Sequence, residues 1–179
     1  MRLAWKRWIF SLLAACTILS LHAEDEADLE QPDDVPWEEV KSTLPAYPEA
    51  GEWLPFFVTS ATTNTFYIDA KSLEGTKDGV MHYTLKVVSE NGAVNVTREG
   101  MRCSTREQKL YAIGDDRSKT WREPRNNQWV FFKKWAINRQ LNVLYDDFFC
   151  PGRIIVYNVN DAIRALRSGV PVSGKSSRD

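Results

Sequence analysis

The sequence has little histidine, little cysteine and no hydrophobic run long enough to cross a bilayer. Its two histidines are His22 and His82, and its three cysteines are Cys16, Cys103 and Cys150. So few nitrogen and sulfur ligands make zinc and copper sites hard to assemble, because such sites draw several of these side chains together. The longest apolar stretch, Trp8 to Leu21, is 14 residues, against the roughly 20 that a spanning helix needs. There is no glycine-rich phosphate loop and no G-x-S-x-G setting for a nucleophilic serine. Basic charge is not in surplus either. The 23 Lys and Arg stand against 24 Asp and Glu, which leaves no electrostatic footprint for nucleic acid. No cofactor and no metal are expected.

What is present begins with a targeting signature. Arg2, Lys6 and Arg7 precede the apolar stretch, which closes on Leu21-His22-Ala23 just before Glu24-Asp25-Glu26. This is the layout of a signal peptide over residues 1–23, cut after Ala23. Leu13-Ala14-Ala15-Cys16 also reads as a lipobox, in which Cys16 would carry a lipid anchor. The apolar run continues past Cys16 to Leu21, which favours the cut at Ala23. Losing Arg2, Lys6 and Arg7 leaves 20 basic and 24 acidic residues, a formal charge of −4, with His82 the remaining histidine. Export to the periplasm or outer membrane places Cys103 and Cys150 in an oxidising compartment, where two lone cysteines pair.

Residues 24–36 are acidic, carry two prolines and show no apolar periodicity, the composition of a solvated linker. One folded domain is expected over residues 37–169, followed by a disordered polar tail over residues 170–179. Leu44-Pro45-Ala46-Tyr47-Pro48 reads as extended, because each proline pushes its predecessor out of the α region. Trp53 to Thr59 and Thr65 to Asp69 have the aromatic and β-branched content of short strands. Val80 to Ser89 alternates, with Met81, Tyr83, Leu85 and Val87 on one side and His82, Thr84 and Lys86 on the other.

Asn91-Gly92 marks a hairpin, and the return strand runs from Ala93 to about Cys103. A two-residue turn pairs Val87 with Val96. That register sends Met101 and Cys103 to the wrong face unless a bulge near Gly100 restores them. Gln108 to Gly114 and Trp129 to Trp135 are further strands. Ile137, Leu141, Leu144, Tyr145 and Phe148 share one face of a helix that Pro151 stops at Cys150. Asn160 is placed to cap a second helix through Arg167, with Gly169 just past its end. Strands first and helices later give an α+β fold, an antiparallel sheet covered by one or two C-terminal helices.

Several runs carry a family likeness. They are Phe66-Tyr67-Ile68-Asp69 with Ser72-Leu73, then Asp78-Gly79-Val80-Met81-His82-Tyr83-Thr84, and Ser89-Glu90-Asn91-Gly92-Ala93-Val94-Asn95-Val96. Arg98-Glu99-Gly100-Met101-Arg102-Cys103, Tyr111-Ala112-Ile113-Gly114, Trp121 and Asp147-Phe148-Phe149-Cys150 continue it. From about Trp37 to Gly169 the chain resembles the cryptic neisserial protein-like family of bacterial exported proteins. The resemblance implies export and a single domain; it implies no activity.

Few side chains offer chemistry. A lone strand histidine such as His82 is usually a bystander. Asp146 and Asp147 are adjacent on a helix, about 100° apart, and so cannot flank one glycosidic bond. Asp115-Asp116 sits in a turn, where carboxylates cap backbone N–H groups. Aromatics are the one excess: Trp121, Trp129, Phe131, Phe132, Trp135, Tyr145, Phe148 and Phe149 crowd together among Arg122, Arg125, Lys133 and Lys134. Most of these belong to a core, Trp135 among them. Trp121 and Arg122, in polar surroundings, are the candidate ligand platform. The function that follows is an envelope module, non-enzymatic, binding a protein or glycan partner. The alternative is a hydrolase acting on an envelope polymer through acids such as Glu99 or Asp147. Intact-mass measurement of envelope-extracted protein is expected to find Glu24 as the first residue; an acylated Cys16 there would overturn the cut at Ala23.

Overall fold

Among the described residues eight strands, with three nine-residue ones at the centre, build one antiparallel sheet. A computed structural model describes residues 36–134 and 138–174. The expected signal peptide, the linker up to residue 35, Trp135 and Ile137 lie outside the described residues. The strands are β1 (Trp53–Phe56), β2 (Thr65–Asp69), β3 (Glu74–Gly75), β4 (Val80–Val88), β5 (Val94–Arg102), β6 (Glu107–Asp115), β7 (Thr120–Arg122) and β8 (Val130–Phe131). They lie in the order β1-β2-β4-β5-β6-β7, with β3 beside β4 and β8 beside β6. The expected last strand from Trp129 thus shrinks to two residues.

The β4–β5 register sits one residue from the expected one. Val88 pairs with Val94, Leu85 with Thr97, Tyr83 with Glu99 and Met81 with Met101, without interruption. The loop is Glu90-Asn91-Gly92, closed by Ser89 N–H donating to the Ala93 carbonyl at 2.9 Å, with Gly92 at φ +77°. A three-residue hairpin ending on a left-handed glycine uses Gly92 for its positive φ and shifts every pair by one. Met101 therefore reaches the core face without a bulge in this pair, and Val94 and Val96 move to the other face. The irregularity lies one strand further on, between Arg98 and Glu99 of β5, where Tyr111 of β6 is the extra residue.

One face of the sheet is apolar and carries the helices. Leu54, Phe56, Phe66, Ile68, Met81, Tyr83, Leu85 and Met101 form its core with the helical residues Leu141, Leu144, Tyr145, Phe148, Phe149, Ala162 and Leu166. The stripe expected from Leu141 to Phe148 is buried throughout. Helix α1 (Arg139–Val143) runs on as a π-helical stretch, Leu144–Phe149, ending with Cys150 N–H bonded to the Tyr145 carbonyl. Helix α2 (Val159–Ser168) closes the layer. Its cap is Asn158, whose side chain accepts from Asn160 N–H, so the capping residue lies two positions before the expected Asn160. Gly169 ends it at φ 69°. The expected tail begins with a docked turn: Val172 packs on the core and its N–H donates to the Asp147 carbonyl at 2.8 Å. No helix among the described residues is long and apolar enough to cross a membrane.

The single α+β domain is closed by the Cys103–Cys150 disulfide, Cα atoms 5.3 Å apart, which joins the end of β5 to the end of the π-helical stretch. The bridged residues are 47 apart, and a loop of that length stabilises a fold by roughly 4 kcal/mol on the chain-entropy model. The Cys103→Ser/Cys150→Ser double variant should lose stability of that order in urea unfolding. A loss under about 1 kcal/mol would mean that the helices hold the β5 end without the bridge.

Candidate functional site

The second face of the sheet is polar, and a strap covers it. From Trp37 to Gly51 the chain lies outside the sheet ladder, and side-chain bonds fix it at both ends. At the first end, Trp37 Nε1 donates to the Asp78 carbonyl at 2.9 Å and Val40 N–H to Asp78 Oδ2 at 2.7 Å. Glu39 is the hub. Its carboxylate accepts from Lys109 Nζ at 2.7 Å, Tyr111 OH at 2.7 Å and Trp129 Nε1 at 3.2 Å. Partial burial pushes this carboxyl up, but the three donors outweigh it and hold the group below the usual carboxylate range. The Arg102 guanidinium lies 3.8 Å over the Trp37 ring, and Trp37 meets Trp129 edge-on at 5.8 Å. At the other end, Tyr47 OH donates to Asp116 Oδ1 at 3.0 Å. Burial and the Asp116 carboxylate push that phenol up to about 12.

Two glycines let the strap face form. A Cβ on Gly114 would stand 2.7 Å from the Tyr47 ring, and one on Gly100 would stand 2.7 Å from the Tyr111 ring. On the same face of β4 and β5 lie His82, Thr84 and Arg98, all buried. Arg98 Nη1 donates to the Ser72 carbonyl at 2.6 Å, and Nη2 is 3.9 Å from Glu74. Ser72 Oγ bonds Thr84 Oγ1 at 2.8 Å. The His82 ring rests 5.2 Å from Tyr111.

The motif runs that carried the family likeness thus have physical roles. Asp78 catches the strap, Asp69 and Ser72 make the corner after β2, Gly92 and Gly100 permit the hairpin and its packing, and Cys103 and Cys150 form the bridge. The sequence profile of the CNP1-like family matches residues 32–167. The chain belongs to the CNP1-like family. No curated protein and no solved structure matches it.

In this CNP1-like domain Trp121 and Arg122 occupy adjacent positions of β7 and so point to opposite faces of the sheet. Trp121 is half-buried; its Nε1 donates to the Pro45 carbonyl at 2.8 Å and its ring packs on Tyr47 at 5.4 Å. Arg122 is exposed. The acids are spoken for as well. Glu99, 5 % exposed, accepts from Tyr83 OH at 2.8 Å, Thr97 Oγ1 at 2.7 Å and Gln108 Nε2 at 2.8 Å. Burial pushes its carboxyl up in spite of these donors. Asp147 is 0 % exposed, and Asp146 pairs with Arg106 at 3.1 Å. Asp115 caps the N–H groups of Arg117 and Ser118, as its turn position suggested. Among the described residues no group of three His, Cys, Asp or Glu side chains could hold a metal ion.

An open groove lies elsewhere, around the β1–β2 loop. About 490 Å³ in volume, it is lined by Pro55 to Thr59 and Thr62 to Tyr67, and a neighbouring groove of about 440 Å³ shares Val58, Thr59, Thr62, Asn64 and Phe66 with it. Phe57 stands at its wall, 58 % exposed. The β1–β2 loop carries no periodic signal in the sequence. Its Thr/Asn content reads only as a connector, although an aromatic flank beside hydroxyl and amide side chains was legible. Glu39→Ala tests the strap: removing a charged acceptor of three hydrogen bonds should cost about 1–3 kcal/mol and raise hydrogen exchange over residues 37–47. Unchanged exchange there would mean that the strap does not depend on the Glu39 hub.

Proposed function

We propose that this CNP1-like domain works outside the cytoplasm as a non-enzymatic binding module of the cell envelope, and that the β1–β2 groove takes a neutral glycan. One observation carries the reading: the larger groove is walled by Phe57, Tyr67, Thr59, Thr62, Thr63 and Asn64, with no acidic, basic or histidine side chain in its lining. Hydroxyl and amide groups pair with sugar hydroxyls, and aromatic faces stack on the apolar side of a sugar ring. Acid–base hydrolysis needs a carboxylate pair about 5–9.5 Å apart across an accessible bond, and Glu99 and Asp147 are instead buried. Export is supported by the signal-type N-terminus and by the disulfide, since such bridges persist in oxidising compartments.

The test is retention of the mature, disulfide-bonded protein on arrays of envelope glycans. Phe57→Ala and Asn64→Ala are expected to weaken retention roughly tenfold, about 1.4 kcal/mol, with little change in melting temperature. Trp121→Ala should lower the melting temperature by loosening Tyr47 and Pro45 while leaving retention in place. If Trp121→Ala or Arg122→Ala abolishes retention and the groove variants do not, the platform on β7 is the binding surface. Breakdown of the polymer that Glu99→Gln removes would replace the binding reading with a hydrolase.

A further inference from the structure

His82 is the least satisfied polar side chain of the strap face. It is 1 % exposed, and neither ring nitrogen has a hydrogen-bond partner among the described residues. A neutral imidazole tolerates this at moderate cost, whereas a charged one does not. The charged and titratable groups facing it come from every surrounding element: Arg98 on β5, Glu74 on β3, Asp78 before β4, Glu39 on the strap and Tyr111 on β6. The three carboxylates are already employed in holding the strap or its surroundings. Glu74, directly across from His82 in the β3–β4 pair, accepts from Ser42 Oγ at 3.1 Å. Asp78 accepts from Val40 N–H, and Glu39 from Lys109, Tyr111 and Trp129.

We propose that His82 makes the strap acid-labile: a proton on its imidazole frees the segment from Trp37 to Tyr47 and uncovers the polar face of the sheet. The imidazolium would sit near the Arg98 guanidinium with two N–H donors lacking acceptors. The acceptors able to answer it are the carboxylates that engage the strap, so a charged His82 competes with Ser42, Val40 and Lys109 for them. Opening the strap admits water and relieves both penalties. Burial, followed by Arg98, lowers the proton affinity of His82 below the usual histidine value. The open form therefore takes the proton first. Strap closure is at full strength above about pH 6.5 and weakens as the pH falls from there toward the lowered value in the closed form. An acidified envelope compartment would be the condition that exposes this face.

Hydrogen exchange of the intact, disulfide-bonded protein at about pH 7.5 and about pH 5, corrected for intrinsic rates, tests the proposal. Protection over residues 37–47 should fall severalfold in the acid, while protection of β4 and β5 holds. His82→Phe, an apolar ring for an unpartnered one, should keep the strap protected at both pH values. His82→Gln serves the same purpose if the phenylalanine variant does not fold. Glu39→Gln should loosen the strap at both pH values and retain the acid-dependent loss. Equal wild-type protection at the two pH values would overturn the proposal, as would acid-dependent loss persisting in both His82 variants. NMR titration of the His82 ring supplies a readout free of substitutions: its midpoint should coincide with strap opening, and titration with the strap still protected would also overturn it.

Discussion

The continuous pairing of β4 with β5 sets the position of almost every other contact. Nine residue pairs run from Val80–Arg102 to Val88–Val94, and both faces of that ribbon are buried along much of its length. Because side chains alternate, a one-residue slip would exchange the two faces of a strand. It would send Met101 toward the strap and Arg98 into the aromatic core. The Gly92 turn fixes this register at one end, and the Cys103–Cys150 bridge ties the other end to the helical layer.

Two unlike covers follow from this ribbon. The helical cover is apolar, and burying Leu144, Phe148 and Phe149 against Ile68, Tyr83 and Met81 is favourable at about 25 cal/mol per Å². The strap cover is polar and depends on directional bonds, whose net value is about 1 kcal/mol each. A segment held in this way separates from its sheet more readily than a helix held by a hydrocarbon core. The polar layer also contains His82 and, around it, the carboxylates of Glu39, Glu74 and Asp78.

The sequence made the apolar half legible and the polar half obscure. Alternation identified Met81, Tyr83 and Leu85 as a core face, and helical spacing identified Leu141 to Phe148, because burial imposes a period on apolar residues. The family likeness pointed to the same runs. Asn91-Gly92 located the hairpin, but a two-residue and a three-residue loop share that signal, and the choice between them moves Val96 and Met101 to opposite faces. The strap imposes no period. Its anchors, Trp37, Glu39 and Tyr47, find Asp78, Lys109 and Asp116 across long stretches of chain, and local pattern carries no trace of such pairs. Trp121 looked like a surface aromatic for that reason, its neighbours in sequence being polar while its neighbour in space is Tyr47.

The strap leads directly into β1, whose Pro55 and Phe56 line the groove, which raises the question of whether release of one unmakes the other. The contacts at Glu52 argue otherwise. Its N–H donates to Asp69 Oδ1 at 2.8 Å, its carbonyl accepts from Ala70 N–H at 2.9 Å, and its carboxylate pairs with Arg167 of α2. β1 then continues in register with β2 from Trp53–Asp69 to Phe56–Phe66. None of these bonds involves His82, Glu39 or Asp78. Lys71 Nζ also donates to the Ala50 carbonyl at 2.9 Å, so release of residues 37–47 would leave this anchor, β1, β2 and the loop between them in place. The groove and the strap-covered face are thus separate surfaces of one domain, and the proposed release of the strap would uncover the second without altering the first.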